Sequence, residues 1–292
     1  MMDSLIVHNE KIIPLAEACL SPGQAGLLLG WGAFTTLRLY AGIPFEFPRH
    51  WERMAHDAAR LNMELPLNPA AARKWVIDLA LANERREGMA RVSFIRNSGG
   101  AWSAWDKARP MDFLVFTQAL PSWPASYSLQ LQPNAVFSAG VYAGAKMLSW
   151  ASNSTLMERA RADGYDDALL LNEHGHVVEC TSANIFVVRS GRIFTPPLSS
   201  GCLPGITREV ILGLGAEAGA PITEKEITSS DLDAAEEVFL SSTTREVGGV
   251  RSIGERWQYE APGKITQALA AAFQQYAQSK LKSARTEDEG FL

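Results

Sequence analysis

The spacing of apolar and polar side chains changes period several times along the chain, and each change predicts an element. Residues 5–13 predict a short strand pair turning at Asn9-Glu10. Further on, Phe34, Thr36, Arg38 and Tyr40 alternate with Thr35, Leu37 and Leu39, and Ala41-Gly42 turns this strand into residues 43–47, a second hairpin. Pro48 then opens a helix whose Trp51, Met54, Ala55, Ala58 and Leu61 recur at helical spacing. Arg53 lies off that stripe and by spacing alone reads as a solvated arginine. Residues 71–86 predict a second helix, and residues 90–96 and 111–117 predict strands around a Gly99-Gly100 loop. The prolines of Ala119-Leu120-Pro121-Ser122-Trp123-Pro124 interrupt the pattern and mark a linker.

Strand-like residues resume at Ser128, and residues 152–163 predict a helix closed by Gly164. Ala168-Leu169-Leu170-Leu171 and His176-Val177-Val178-Glu179 flank the turn-rich quartet Asn172-Glu173-His174-Gly175, which predicts a hairpin. Strands at 184–188 and 192–195, joined by Arg189-Ser190-Gly191, leave Glu179 at a strand end facing a small polar loop. Gly205 to Gly219 predicts a helix, 222–227 a strand, and 231–236 a helical turn before the apolar strand Val238-Phe239-Leu240. A run of hydroxyls, Ser241-Ser242-Thr243-Thr244, follows it. Residues 264–282 predict a closing amphipathic helix and 283–292 a frayed acidic tail. The mixture gives an α/β (α+β) fold in two domains, 1–119 and 127–282, joined by a linker at 120–126.

Composition narrows the partners. With 27 basic against 32 acidic side chains, a net charge of -5 and no clustered Lys/Arg run, nucleic acid and anionic membranes are poor partners and small molecules good ones. Cys19, Cys180 and Cys202 are an odd, scattered set that suits a reducing cytosol. His174 and His176 flank a hairpin glycine as solvent-facing turn residues, and no histidine stands at metal spacing from a cysteine or another histidine, so no metal is expected. The first residues lack a basic start and an apolar core, and no stretch reaches the length of a membrane span, which predicts a cytoplasmic protein.

Three features carry candidate chemistry in one order: Lys146, the strand-end Glu179, and Gly205-Ile206-Thr207-Arg208 at a helix start. Singly each has a bland reading, as a surface lysine, a strand carboxylate and an ordinary capped helix. Together they are an amine able to form a Schiff base, a carboxylate able to keep a pyridine nitrogen protonated, and backbone N–H groups at the positive end of a helix dipole that suit a phosphate. These are the requirements of pyridoxal 5'-phosphate.

From about Gly30 to Ile253 the sequence closely resembles the class IV (fold type IV) pyridoxal-phosphate enzymes: branched-chain aminotransferases, D-amino-acid aminotransferases and aminodeoxychorismate lyases. The resemblance implies a cofactor cleft between two domains, a homodimer, and Lys146 as the Schiff-base residue that also moves the proton between substrate Cα and cofactor C4′. It makes Glu179 the pyridinium partner. The phosphate falls to Arg53, in the His-x-x-Arg-hydrophobic pattern His50-Trp51-Glu52-Arg53-Met54, with the Ile206 and Thr207 amides and Thr243. It places Phe34, Thr35, Arg91 and Thr244 on the substrate side, where an amino acid and a 2-oxo acid exchange an amino group. Subfamily marks conflict. The pocket tyrosines of the branched-chain enzymes are replaced by Leu29 and Ala151, and the carboxylate-trapping arginine of the D-amino-acid enzymes falls near Ala101. Phe34-Thr35-Thr36, Asn97-Ser98-Gly99-Gly100 and Glu179-Cys180 look like the lyase, whereas Thr243-Thr244 and Gly205-Ile206-Thr207-Arg208 look like the aminotransferases. Transamination is the expected activity, with 4-amino-4-deoxychorismate lyase, releasing pyruvate and 4-aminobenzoate, as the alternative.

Overall fold

The chain divides into two compact units: one gathers the chain up to Pro121, Lys146–Trp150 and the end of the chain from Ser279, and the other gathers Ser122–Ala145 and Ala151–Gln278. The computed structural model describes residues 2–105, 108–215 and 222–289.

In the first unit the elements run β1 (Met2–His8), β2 (Ile12–Pro14), α1 (Ala25–Leu29), β3 (Gly32–Tyr40), β4 (Ile43–Pro44), α2 (Phe47–Arg60), α3 (Pro69–Ala82), β5 (Gly88–Arg96), β6 (Ser98–Gly99), β7 (Trp102–Ser103) and β8 (Met111–Gln118). Period-two alternation builds a six-stranded antiparallel sheet in the order β2-β1-β8-β5-β3-β4. Ala33, Leu37 and Leu39 of β3 and Ala90, Val92 and Phe94 of β5 point to one face, and there form a core with Trp51, Met54 and Ala58 of α2 and Val76 and Leu79 of α3. Each large side chain so buried contributes roughly 1.5–3 kcal/mol. Both helices carry a proline in the first turn, and α3 is capped by Asn68, whose Oδ1 accepts from the Ala71 N–H at 2.9 Å. The helix expected over 71–86 ends at Ala82, because Asn83 exchanges bonds with the Leu5 backbone (3.1 and 2.9 Å) and Glu84 takes a left-handed φ of 52°. Likewise the strand expected over 43–47 stops at Pro44, since Glu46 is left-handed (φ 49°) and Phe47 already belongs to α2.

In the second unit follow β9 (Tyr127–Val136), α4 (Ala151–Ala162), β10 (Asp167–Asn172), β11 (Val177–Cys180), β12 (Asn184–Arg189), β13 (Arg192–Thr195), α5 (Ile206–Leu214), β14 (Ile222–Glu224), α6 (Ser229–Asp233), β15 (Glu237–Ser242), β16 (Glu246–Ile253) and β17 (Trp257–Gln258). They make a nine-stranded mixed sheet in the order β11-β10-β9-β16-β15-β12-β13-β14, with β17 on β16. The near-continuous apolar runs of β10, β12 and β15 have both faces covered: Leu169, Ile185 and Leu240 join one cluster, while Phe186 and Phe239, both fully buried, stack at 4.7 Å. The predicted hairpin at 168–179 forms as β10 and β11. The helix expected from Gly205 to Gly219 ends at Leu214, and residues 216–221 lie outside the described residues. The helical turn expected at 231–236 begins earlier, at Ser229, where Thr228 and Asp231 form a reciprocal capping box. A final helix, α7 (Lys264–Glu289), continues through the first part of the tail expected from 283, a stretch with no glycine or proline before Gly290.

Candidate active site

Lys146 and its neighbours complete an edge of the first sheet. Pairing with β4 covers only the far end of β3, at Leu39 and Tyr40, and the near end is taken by residues 146–148. The Phe34 N–H donates to the Lys146 carbonyl (3.2 Å), the Leu148 N–H donates to the Gly32 carbonyl (2.8 Å), and Ala33 bridges Met147. This is why Lys146–Trp150 pack with the first unit rather than within the expected stretch 127–282. Lys146 stands opposite Phe34 on one face of the sheet, and its Nζ lies 4.6 Å from the centroids of both the Phe34 and the Trp150 rings, which meet edge to face. From α2, the Asp57 Oδ2 accepts the Lys146 N–H at 3.0 Å.

Arg91, on the neighbouring strand β5, stacks over the same Phe34 ring with its Cζ 3.6 Å from the centroid. Burial pushes its pKa down to about 10, and among the described residues no carboxylate pairs with it. Two cationic side chains therefore share one aromatic ring in a desolvated place, an arrangement that an arriving anion would stabilise.

Thr35 points to the other face of β3, toward α2, where its Oγ1 accepts from the Arg53 Nη2 at 3.0 Å and lies 2.8 Å from the His50 Nδ1. His50 is 2% exposed, and burial, reinforced by the Arg53 and Lys146 charges, holds its pKa well below the ordinary imidazole value. Burial also raises the Asp57 carboxyl, against the pull of the Lys146 amide. His50, Arg53 and Asp57 follow at i, i+3 and i+7, one stripe of α2 that reaches both β3 and Lys146. Arg53 is thus partly buried and directed inward, not the solvated arginine that its spacing predicts.

The second unit assembles Glu179 with the start of α5. The Glu179 Oε2 accepts the Leu203 N–H (3.1 Å) and lies 3.5 Å from the Asn184 Nδ2, which also donates to the Leu203 carbonyl at 2.9 Å. Asn184 sets the helix start too: a Cβ on Gly205 would lie 2.0 Å from its Oδ1, so any larger residue must displace the Asn184 amide from its bonds. The Glu209 N–H bonds back to the Gly205 carbonyl (2.9 Å), so the amides of Ile206, Thr207 and Arg208 precede the helical ladder. Across the sheet Asn184 faces Ser241, whose buried hydroxyl has no hydrogen-bond partner among the described residues. Thr243 and Thr244 occupy the turn between β15 and β16. That turn is anchored by Arg245, 2% exposed at its side chain, which pairs with the fully buried Asp167 at 2.8 Å and stacks on Trp123 at 4.6 Å. The Trp123 Nε1 donates to the Thr244 carbonyl at 3.0 Å.

Each unit therefore gathers its own share of the predicted residues: Phe34, Thr35, Arg53, Arg91 and Lys146 in the first, Glu179, Ile206, Thr207, Thr243 and Thr244 in the second. Sequence reasoning missed Trp150, Asp57, Asn184 and Arg245, and quoted His50 only as part of a pattern. A signal existed for two of them. His50 and Asp57 are polar residues interleaved with the buried positions 47, 51, 54 and 58 of α2, where an apolar side chain is the rule. Nothing local marks the Asp167–Arg245 pair, whose members stand 78 residues apart.

In the second unit a held carboxylate, a glycine-led helix start and an orphan buried hydroxyl, and in the first a lysine beside two aromatic rings, are groups of the kinds that suit the ring nitrogen, phosphate and aldehyde of pyridoxal phosphate. The fold is that of the fold type IV pyridoxal-phosphate enzymes. The family profile for Amino-transferase class IV matches residues 32–253, and the chain belongs to that family. It is 30% identical over 278 residues to a Methanocaldococcus jannaschii relative named as a branched-chain-amino-acid aminotransferase, covering 92% of this chain and 94% of the relative. It is 27% identical over 276 residues to the D-alanine aminotransferase of Bacillus licheniformis, with 92% and 95% covered. Its structure matches that of the branched-chain aminotransferase of Thermoproteus uzoniensis with norvaline, at a TM-score of 0.86 and 26% identity, over 95% of this chain and 96% of the other. The protein is a pyridoxal-phosphate-dependent transaminase, moving an amino group between an amino acid and a 2-oxo acid. No helix among the described residues is long and apolar enough to cross a membrane.

Proposed function

We propose that the amino donor is an apolar amino acid of the branched-chain type, received on the Phe34 face of β3. One observation carries this: the desolvated Arg91 guanidinium shares the Phe34 ring with the Lys146 amine, so a carboxylate bound by Arg91 brings its α-amino group to the lysine, among aromatic walls that suit an apolar side chain. Pyridoxal phosphate, when bound, supplies the amine-reactive aldehyde and the electron-withdrawing ring. The Lys146 amine would hold the cofactor through its aldehyde and would carry a proton to and from the substrate Cα. Glu179, held in place by the Leu203 N–H and Asn184, keeps the ring nitrogen protonated. Arg53, the Ile206 and Thr207 amides and Thr243 hold the phosphate, and Thr244 joins Phe34 and Arg91 on the substrate side.

A panel of L- and D-amino acids with 2-oxoglutarate and pyruvate tests the reading. Valine, leucine and isoleucine are expected to lead; a preference confined to D-alanine or to acidic donors would overturn the substrate assignment. Aminodeoxychorismate is expected to yield little 4-aminobenzoate, because the hydroxyl of Thr35, in the lyase-like Phe34-Thr35-Thr36, turns toward α2. We also propose a homodimer, supported by the exposed Leu27, Leu28, Leu29, Trp102 and Trp105 of the first unit, and checked by sedimentation of the active enzyme. The free thiols of Cys19, Cys180 and Cys202 support a cytoplasmic location, which fractionation of the native host would check.

A further inference from the structure

We infer that Thr35 and His50 are positioning residues that aim the Arg53 guanidinium at the cofactor phosphate. The inference rests on the assignment of Arg53 to that phosphate. A guanidinium has only donors, so the Arg53 contact to Thr35 uses a lone pair of the hydroxyl oxygen. Thr35 is 1% exposed, so its own proton also needs an acceptor, and among the described residues only the His50 Nδ1, at 2.8 Å, offers one. Burial disfavours the charged form of the imidazole, and its Nδ1 accepts when the ring proton sits on Nε2. The relay thus runs from Arg53 to Thr35 to His50, and both ends, three residues apart on α2, close on one hydroxyl of β3. With its lone pair and its proton both engaged, Thr35 has no proton to deliver to a reacting substrate. It also faces away from Phe34, the ring under the Lys146 amine.

The test compares the affinity of the cofactor-stripped full-length enzyme for pyridoxal phosphate and for pyridoxal, which lacks the phosphate. In Thr35→Val, isosteric but without the hydroxyl, pyridoxal phosphate is expected to bind about tenfold or more weakly, as for loss of a hydrogen bond to a charged group, with pyridoxal binding unchanged. His50→Leu should act in the same direction, Thr35→Ser should bind as wild type does, and Thr35→Val should add nothing in an Arg53→Gln background. Raising the cofactor to saturation should restore most of the kcat that Thr35→Val loses at limiting cofactor. Equal weakening of both ligands, a full effect of Thr35→Val without Arg53, a serine variant as weak as the valine one, or a kcat that falls with cofactor affinity intact would each overturn the inference. Wild-type enzyme that binds pyridoxal as tightly as pyridoxal phosphate would instead overturn the assignment of Arg53 on which it rests.

Discussion

Replacing Arg245 by methionine tests whether the buried ion pair organises the turn that presents Thr243 and Thr244. The side chains of Arg245 and Asp167 are 2% and 0% exposed, so the substitution strands a carboxylate where water cannot reach it. Removing one partner of a buried pair costs about 3–5 kcal/mol. Two features set where the loss falls in that range. Asp167 keeps the Thr181 hydroxyl and the Ala168 N–H (2.8 Å), which lowers the cost, while the stacking of Arg245 on Trp123 is lost, which raises it. We expect about 4 kcal/mol, equivalent to a fall in Tm on the order of 10 °C. Denaturant unfolding followed by circular dichroism, with cofactor saturating, measures it. The double variant Asp167→Asn/Arg245→Met removes both charges and should recover most of the loss, because the cost of the single variant is mainly that of the abandoned carboxylate. A single variant within about 1 kcal/mol of wild type, the range of a solvated pair, would refute the reasoning.

Lys146→Ala should abolish both turnover and the visible absorbance of the bound cofactor, and borohydride reduction of wild type followed by peptide mapping should mark Lys146; a different marked lysine would remove the assignment. Glu179→Gln should leave the protein coloured and slow proton abstraction a hundredfold or more, on the order of 3 kcal/mol, as read by single-turnover absorbance; wild-type rates would make the carboxylate structural. Gly205→Ala should weaken cofactor binding, because the added Cβ would meet the Asn184 Oδ1 at 2.0 Å and push the helix start away from Glu179 and its partner; an unchanged affinity by titration would show that the start of α5 has room to move.

What the sequence determined by itself lies within short spans of chain. The hairpin around Asn172-Glu173-His174-Gly175, the strand from Phe34 to Tyr40, the proline-led start of α2 and the glycine-led start of α5 are set by periodicity and turn chemistry acting over a few residues, and each forms where the pattern puts it. The order of lysine, glutamate and helix start was likewise legible, though it took the family resemblance to single out Lys146 from the other lysines. Only the tertiary structure decided how those residues are held. Lys146 closes an edge of β3 more than a hundred residues earlier in the chain, His50 and Asp57 interrupt the apolar stripe of α2 because they serve Thr35 and Lys146, and Arg245 finds Asp167 across a fold. Thr35 shows the difference most directly. Its alternation put it on a strand, but whether its hydroxyl meets a substrate or a helix depends on which face the core takes. Covering the Leu37 and Leu39 face with α2 and α3 turned that hydroxyl toward Arg53 and left Phe34 to the lysine.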